Sequence, residues 1–539
     1  MQIVQDKKEN PAQTVPVPNA TERRGSYPWL LAMVSGVLQV MIFPLPNWSF
    51  LCWIALAPLL IALLRAGSSA QKPLRAVTSG FALAWISGII FYAGSCYWVY
   101  HVMTLYGGLE VPLAAGVLVL FCLYVGLVHG IFGALLAFAA SRGWGLRSLL
   151  LAPFFWVSTE LFRARVIAFP WDLLGTVLVD NIPLSRIATV TGVYGLSFEV
   201  MLMNAALVAI LLGRRERRVL MLALWILILG TMETGRYIEP PASTPGGTAR
   251  LVQQNISLNQ RWTPESYEQT LAELAKISVV QPSEGMPGDP LPDLILWPES
   301  PAPFYGNDSR YVNTLSNIAR SSNAYVLAGS LGVVRGSETT QQVFNSAELV
   351  APNGEFIARY DKIHLVPFGE YVPFKDMFSF AKKLTKEVGD FMPGTERLVL
   401  PVHSYKLGTF ICYESIFPDE IRLFAKNGAG VLVNISNDGW FGDTGAPWQH
   451  LRMARMRAIE NNRWVVRSTN TGVSASIDPF GRVVQQLRRN TRTAVNVPYG
   501  VVTGTTFYTR HGDWFAWTCG IICIGALFLR PTFRTGTSS

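Results

Sequence analysis

Three stretches of the chain end in side chains fit for covalent chemistry. Gly408-Thr409-Phe410-Ile411-Cys412-Tyr413-Glu414-Ser415 is an apolar, β-like run that stops at a thiol flanked by an aromatic and a carboxylate. Leu294-Ile295-Leu296-Trp297-Pro298-Glu299-Ser300 is a second apolar run, closed by a carboxylate. Tyr360-Asp361-Lys362-Ile363-His364 leads through Val366-Pro367-Phe368-Gly369 to Glu370-Tyr371, and so offers a lysine and another carboxylate. A thiolate attacks carbonyl carbon readily, but a free thiol with a pKa of about 8.5 is mostly protonated at neutral pH. It needs a base for its proton, and the tetrahedral intermediate needs positive charge or N–H donors at its oxyanion. Histidine is the usual base. Of the six histidines, His101, His129, His364, His403, His450 and His511, only His364 and His450 fall in stretches that belong near such a site. Neither has an orienting carboxylate at an obvious spacing. No two of the six have a metal-ligand spacing, so neither metal nor cofactor is expected. A carboxylate base with a lysine is the economical solution that remains. Glu299 would be the base, Lys362 would hold the charge of thiolate and oxyanion, and the backbone N–H of Tyr413 would be a second donor. Singly, each residue has a blander reading: an inert strand-end cysteine, a loop carboxylate, a solvated lysine.

The elements that must position these residues divide into two regimes. At 539 residues the chain exceeds one ordinary domain. Residues 28–235 are a near-continuous series of apolar runs, and runs of about 18 residues or more need a bilayer. Seven spans are expected there, at about 28–46, 49–65, 76–100, 111–140, 148–162, 184–213 and 217–234. An eighth is expected within 511–531. Residues 236–510 have the mixed composition of a globular domain. Residues 1–26 are polar, with Pro11, Pro16 and Pro18, and read as a disordered tail. A second short tail covers 532–539. The net charge of +9 does not mark a nucleic-acid binder, because it is gathered in short loops between apolar runs. Those loops set the orientation. With the N-terminus inside, the cytoplasmic segments hold Arg23, Arg24, Arg65, Lys72, Arg75, Arg142, Arg147 and the run Arg214-Arg215-Glu216-Arg217-Arg218. Arg163 and Arg165 are the exceptions on the other side. An odd number of spans then puts 236–510 outside the cytoplasm. There Cys412 is the only cysteine between Leu251 and Tyr508, so no disulfide is expected. Cys52, Cys96, Cys122, Cys519 and Cys523 lie in the apolar runs as small fillers.

The polar region alternates strand and helix signals. Strands are expected at Arg250–Ile256, Asp293–Trp297, Ala324–Val334, Val343–Val350, Leu407–Ile411, Gly430–Ile435, Val465–Ile477 and Arg482–Leu487. Helices are expected from Thr263-Pro264 to Ser278, over Ser309–Ser321, after Ile411 to about Asn427, and over Pro447–Asn461. This is a layered α/β domain. One segment, Val366–Pro401, has no sustained period and is long for an internal loop, which marks a lid or binding loop. Phe368, Tyr371, Phe374, Met377, Phe378, Phe380, Lys382, Lys383 and Lys386 in it suit a membrane interface. They equally suit aromatics packed on their own domain with solvated lysines.

The order Trp-Pro-Glu299, then Asp-Lys362 with His-Leu-Val-Pro-Phe-Gly-Glu370, then Cys412-Tyr413-Glu414 resembles the nitrilase superfamily and its Glu-Lys-Cys triad. Within it, the chain resembles the bacterial apolipoprotein N-acyltransferases over nearly its whole length. The likeness includes Gln254-Asn255-Ile256 with Trp262, Asn345-Ser346, Asn437-Asp438-Gly439-Trp440-Phe441-Gly442, Pro447-Trp448-Gln449-His450, the run Ala454–Arg463, and Ser468-Thr469-Asn470-Thr471-Gly472.

The resemblance implies a polytopic α-helical membrane bundle of about eight spans joined to an αββα sandwich. It implies Glu299 as base, Lys362 as charge stabiliser and Cys412 as nucleophile, with Glu370 orienting lysine and base. Tyr413, Glu414, Trp262 and Trp440 would shape the pocket, with Asn345 at its wall. Phe169-Pro170-Trp171 would form the membrane-facing approach, where the family often has glycine in place of Ala168. Glu460 and Arg463 are expected to pair along their helix, and Glu160 to pair with Arg163 or Arg165. The implied reaction moves an acyl chain from the sn-1 position of a phospholipid, through a Cys412 thioester, to the α-amino group of the diacylglyceryl-cysteine that begins an apolipoprotein. It is the last step of lipoprotein maturation. The partners implied are the phospholipid donor, the diacylglyceryl apolipoprotein acceptor and a membrane, with no nucleic acid. The implied setting is the bacterial inner membrane, with the catalytic domain in the periplasm, both termini in the cytoplasm and the protein a monomer. Two alternatives stand beside this: a membrane-tethered nitrilase-like amidase, and a lipid-binding protein whose triad is a relic.

Overall fold

The computed structural model describes residues 27–279, 291–300, 302–335, 341–371 and 391–528. Both expected tails lie outside these residues. So do residues 372–390 of the expected lid, with Phe374, Met377, Phe378, Phe380, Lys382, Lys383 and Lys386. Of its described aromatics, Phe368 and Tyr371 are exposed and close a tight turn, with the Phe368 N–H donating to the Tyr371 carbonyl at 2.7 Å.

The first half is helical: α1 (Tyr27–Met41), α2 (Ala57–Ser68), α3 (Pro73–Ser95), α4 (Trp98–Leu105), α5 (Val111–Ala139), α6 (Ala152–Phe162), α7 (Ile182–Ser185), α8 (Ala188–Thr191), α9 (Val193–Leu212) and α10 (Arg215–Glu233). Among the described residues, five helical stretches are long and apolar enough to cross a membrane: Ser49–Ser68, Pro73–Ser95, Val111–Leu150, Val193–Leu212 and Arg215–Tyr237. Tyr27–Met41 and Trp514–Phe528 are apolar but shorter. α3 and α5 approach closely because small residues meet. A methyl group added to Gly80 or Gly133 would lie 2.5 or 2.3 Å from the other's carbonyl oxygen, the close backbone contact that small residues permit between apolar helices.

Two expected spans are interrupted. The 76–100 run stops at Ser95, whose carbonyl accepts from Gln449 Nε2 at 3.0 Å, and resumes as α4. The 184–213 run breaks at Gly192, where φ is +67° and an added Cβ would meet the Tyr508 ring at 2.5 Å. Hydropathy could not register either break, because each is made by a contact with the second half of the chain.

The second half begins with β1 (Gly247–Gln253), α11 (Pro264–Val279), β2 (Leu294–Leu296), α12 (Ser309–Ser322), β3 (Tyr325–Arg335), β4 (Gln341–Val350) and β5 (Phe356–Asp361). It continues with β6 (Val399–Val402), β7 (Tyr405–Ile411), α13 (Pro418–Lys426), β8 (Val431–Ser436), α14 (Ala446–Asn461), β9 (Val465–Thr469), β10 (Ala475–Ile477), β11 (Val483–Gln486) and β12 (Thr493–Tyr499). It ends with α15 (Phe507–His511) and α16 (Trp514–Phe528). The strands form two six-stranded sheets, β12-β1-β2-β3-β4-β5 and β11-β10-β9-β8-β7-β6. Strand alternation sorts the side chains. Leu251, Leu294, Leu296 and Leu327 share one core with Leu407, Ile411, Val433 and Ile435 of the facing sheet. Their neighbours Val252, Ile295 and Val326 point the other way, onto Leu271, Leu274, Leu315 and Ile318 of α11 and α12. Ile421, Phe424, Leu451 and Ala454 bring α13 and α14 against the second sheet. The result is the expected helix–sheet–sheet–helix sandwich.

One strand expectation is corrected. Val465–Ile477 is not one strand but β9 and β10, paired antiparallel with Ala475 opposite Arg467. Every residue of both strands is buried, so no polar alternation marked the turn. Asn470 holds it, accepting from the Ile256 N–H and donating to the Ile256 carbonyl, both at 2.8 Å.

Candidate active site

Three strand ends converge. β2 delivers Glu299, the exit of β5 delivers Lys362, and β7 delivers Cys412. Parallel pairing of β1–β2–β3 and of β7–β8–β9 puts such ends on one side of each sheet, where α/β folds carry their chemistry. Cys412 opens a 3₁₀ turn, Cys412–Ile416, with φ at +48°. A residue with a Cβ enters this left-handed region at a cost of roughly 1–2 kcal/mol. The turn is held by the side chain of Glu414, which is fully buried. Its Oε2 accepts from the Ile411 N–H at 2.7 Å, and its Oε1 from Tyr360 Oη, the Ile363 N–H and the His364 N–H at 2.8, 2.7 and 3.1 Å. Glu414 thus braces the nucleophile turn against the lysine segment and spends its oxygens there. It does not wall a pocket.

Lys362 is 1% exposed. Its Nζ donates to Glu299 Oε1 at 3.2 Å and to Glu370 Oε1 at 2.9 Å. Burial alone would lower its pKa, but the two carboxylates overcome this and hold it well above the ordinary range. Asn345 Nδ2 donates to the same two oxygens, at 2.7 and 2.6 Å. The outer oxygens are fixed by backbone: Glu299 Oε2 by the Asn437 N–H and Glu370 Oε2 by the Val366 N–H, each at 2.8 Å. Burial pushes the Cys412 thiol far up, the Glu299 charge adds to this, and Lys362 opposes it. A thiol pushed up in this way needs a carboxylate to take its proton before it can react.

The aromatics separate. Trp171 is 1% exposed and packs on Trp98, Phe441 and His450, with Nε1 donating to Gln449 Oε1 at 2.8 Å. It is a plug between the two halves of the chain, stacked on the His450 ring that reaches the Cys412 carbonyl. Tyr413 reaches the same joint, its hydroxyl donating to the Ala168 carbonyl at 3.2 Å. Ala168 has φ at +56°, which explains why glycine suits that position. Trp440 lies edge-on to Tyr106 of the helical half. Trp262 packs against Tyr267 and Phe304 in the α11–α12 layer.

Sequence reasoning also missed partners. Both histidines near the site have carboxylates after all: His364 Nε2 faces Glu420 Oε2 at 3.2 Å, and His450 Nδ1 faces Asp438 Oδ1 at 2.9 Å. His450 Nε2 donates to the Cys412 carbonyl at 3.0 Å. Arg467, fully buried, donates to both Asp438 oxygens. The expected Glu460–Arg463 pair does not form. Glu460 pairs with Arg457 at 2.9 Å and accepts from the Val193 N–H, whereas Arg463 donates to the carbonyls of Ala429 and Gly504. Glu160 takes the Leu174 N–H at 2.8 Å. Arg163 turns to Tyr92 and the Trp171 carbonyl, and Arg165 pairs with Asp419 and Asp513.

Comparison with known proteins matches both halves. Residues 248–503 fit a family described as carbon-nitrogen hydrolase, and residues 35–206 fit the apolipoprotein N-acyltransferase N-terminal domain. A protein of Geobacter metallireducens named apolipoprotein N-acyltransferase is 37% identical over 516 residues, covering 93% of this chain and 95% of its own. Proteins of the same name from Methylococcus capsulatus and Pseudomonas aeruginosa are 33% and 32% identical, covering 93% and 94% of this chain and 96% and 97% of theirs. With both halves matched in order and relatives aligned almost end to end, the chain belongs to the apolipoprotein N-acyltransferase family.

Proposed function

We propose that this chain is a phospholipid-to-apolipoprotein N-acyltransferase that works through a Cys412 thioester. The observation that carries the reading is the buried Lys362 between Glu299 and Glu370, on a segment that Glu414 braces to the left-handed turn of Cys412. Glu299 takes the thiol proton, and the thiolate attacks the sn-1 ester carbonyl. The oxyanion is stabilised by Lys362 and the Tyr413 N–H. The intermediate collapses with loss of the lysophospholipid alkoxide, which receives the proton from Glu299. The α-amine of the diacylglyceryl-cysteine then attacks the thioester, Glu299 takes the amine proton, and Cys412 leaves as thiolate and is reprotonated. Charge builds on groups already oriented, so little reorganisation is needed at each step. Glu370 and Asn345 orient the lysine and the base. Trp171, Trp440 and Tyr413 line the side facing the helices, and Trp262 supports the sheet that carries Glu299.

The bundle is read as eight spans, seven within 27–235 and one within 511–531, with 1–26 and 532–539 as cytoplasmic tails. The catalytic domain, 236–510, then faces the periplasm at the inner membrane. Both substrates carry acyl chains, so a domain fixed to the bilayer meets them without extracting them into water. The protein acts as a monomer in this reading.

The test is intact-protein mass spectrometry after incubation with a defined phospholipid and no acceptor, beside Cys412→Ser. An added acyl group on the wild type, absent from the variant, removed by neutral hydroxylamine and discharged by a diacylated lipopeptide, is expected. No adduct on folded protein would overturn the transfer reading, and hydrolysis of small amides would then favour an amidase.

A further inference from the structure

Away from Cys412, a cavity of about 370 Å³ opens where the helical half meets α14. Its walls include Asn47 from the α1–α2 connection, Asp180, and Trp448, Arg452 and Arg455 of α14. At 3.6 residues per turn, these α14 residues lie about 140–200° around the helix from His450. The cavity is therefore on the opposite side of α14 from the ring bound to the Cys412 carbonyl. No nucleophile lines it.

Arg452 is only 4% exposed. It donates to the Ile42 carbonyl and to Asn47 Oδ1, both neutral, and among the described residues it makes no ion pair. Asp180, the carboxylate of the lining, is taken by Arg455 at 2.6 Å. The lining thus holds two guanidinium groups against one carboxylate. Burial pulls Arg452 down to about 10, partly offset by Asp180 and Asp172. A buried guanidinium with no carboxylate in direct contact is unfavourable, and an arriving anion relieves it. The surroundings say which anion. Leu45, on the cavity wall, is 57% exposed, and Trp48 and Phe50 of the same α1–α2 connection are 49% and 58% exposed, beside helices apolar enough to span a bilayer. Rings of this kind sit at headgroup level. A free phosphate gains nothing from such an apolar connection, whereas a phospholipid does.

We propose that this cavity is a phospholipid site separate from the catalytic one, with the headgroup phosphate on Arg452 and the acyl chains against Leu45, Trp48 and Phe50. The lipid clamps the α1–α2 connection to α14 and is not consumed.

The test is native mass spectrometry of the full chain with three probes: dioleoyl-phosphatidylglycerol, dioleoylglycerol and glycerol phosphate. Wild type is expected to retain phosphatidylglycerol about fivefold better than Arg452→Gln, the worth of one cation beside an anionic headgroup. Dioleoylglycerol should be lost, and glycerol phosphate should not compete at equal concentration. Equal retention by the folded variant would overturn the site, and tight binding of glycerol phosphate would make it a free-anion site instead. Gln486→Glu, an exposed position on the lining, guards against misfolding of the first variant. It adds negative charge at the mouth and should also weaken retention, while unchanged retention would overturn the proposal. The Cys412 acyl adduct is read in the same samples. A wild type that keeps the lipid but forms no adduct would count against the transfer reading and leave this site standing.

Discussion

Replacing Asn345 with leucine removes a group that both carboxylates share. The Asn345 amide donates to Glu299 Oε1 at 2.7 Å and to Glu370 Oε1 at 2.6 Å, the same atoms that receive Lys362 at 3.2 and 2.9 Å. Leucine has nearly the shape of asparagine and no donor. A hydrogen bond to a charged group contributes roughly 1.5–3 kcal/mol. Two are lost, but Lys362 remains to draw the carboxylates toward itself, so the lower end applies, about 3 kcal/mol. If the loss is felt in the transition state, acylation slows roughly 100-fold, at about 1.4 kcal/mol per factor of ten. The assay is the first-order appearance of the Cys412 acyl adduct at saturating phospholipid, with thermal unfolding in the same detergent as the check on folding. A rate within about threefold of wild type on a folded Asn345→Leu protein would refute the reasoning. It would mean that Lys362 and the Asn437 and Val366 N–H groups orient the carboxylates unaided.

Ala168→Gly relieves a left-handed residue at φ +56°. The relief of roughly 1–2 kcal/mol exceeds the roughly 0.5–1 kcal/mol of extra glycine entropy, so a small rise in thermal midpoint is expected, with acylation unchanged. A fall would mean that the Ala168 methyl packs usefully. His364 gives a pH signature. Burial alone would lower its pKa, but Glu420 raises it above the ordinary value. The pair's contribution is therefore complete below the unfolded histidine value of about 6.5 and is lost as pH rises through the higher folded value. Thermal midpoints of wild type and His364→Gln should converge on going from about pH 6 to about pH 9. A constant gap would show that stacking on Phe417 matters and the charge does not.

What the sequence made legible is what local pattern encodes. The apolar runs Leu294–Leu296 and Gly408–Ile411 gave the strands, and the polar side chain that closes each gave Glu299 and Cys412. The contacts that complete the site are long-range. Asn345 lies 46 positions from Glu299, and His450 lies 38 from Cys412, so no spacing rule announces them. The misjudged ion pairs have one cause. Arg463 and Arg163 face buried carbonyls, which compete for guanidinium donors wherever backbone is left unpaired at helix ends and turns. Helical spacing alone cannot register those acceptors. The breaks at Ser95 and Gly192 belong to the same class, since each is fixed by the other half of the chain.

His450 is the strongest remaining candidate for a base, and its geometry argues against that role. Nε2 donates to the Cys412 carbonyl at 3.0 Å, because a carbonyl can only accept. Nδ1 stands 2.9 Å from Asp438 and 3.0 Å from Arg467, so both nitrogens are engaged. Burial and the Arg467 charge hold the ring below the ordinary histidine pKa. What the ring does is pin the carbonyl of a residue held at φ +48°, and its worth is that of one hydrogen bond, about 1 kcal/mol. Loss of a true base costs typically 10²–10⁴ in rate. His450→Phe keeps a ring against Trp171 and loses the donor, so acylation should fall only about fivefold, with the shape of its pH profile intact. His450→Gln restores an N–H and should recover most of the rate. A loss of a thousandfold, with a changed pH profile and no recovery in the glutamine variant, would move the proton transfer from Glu299 to His450.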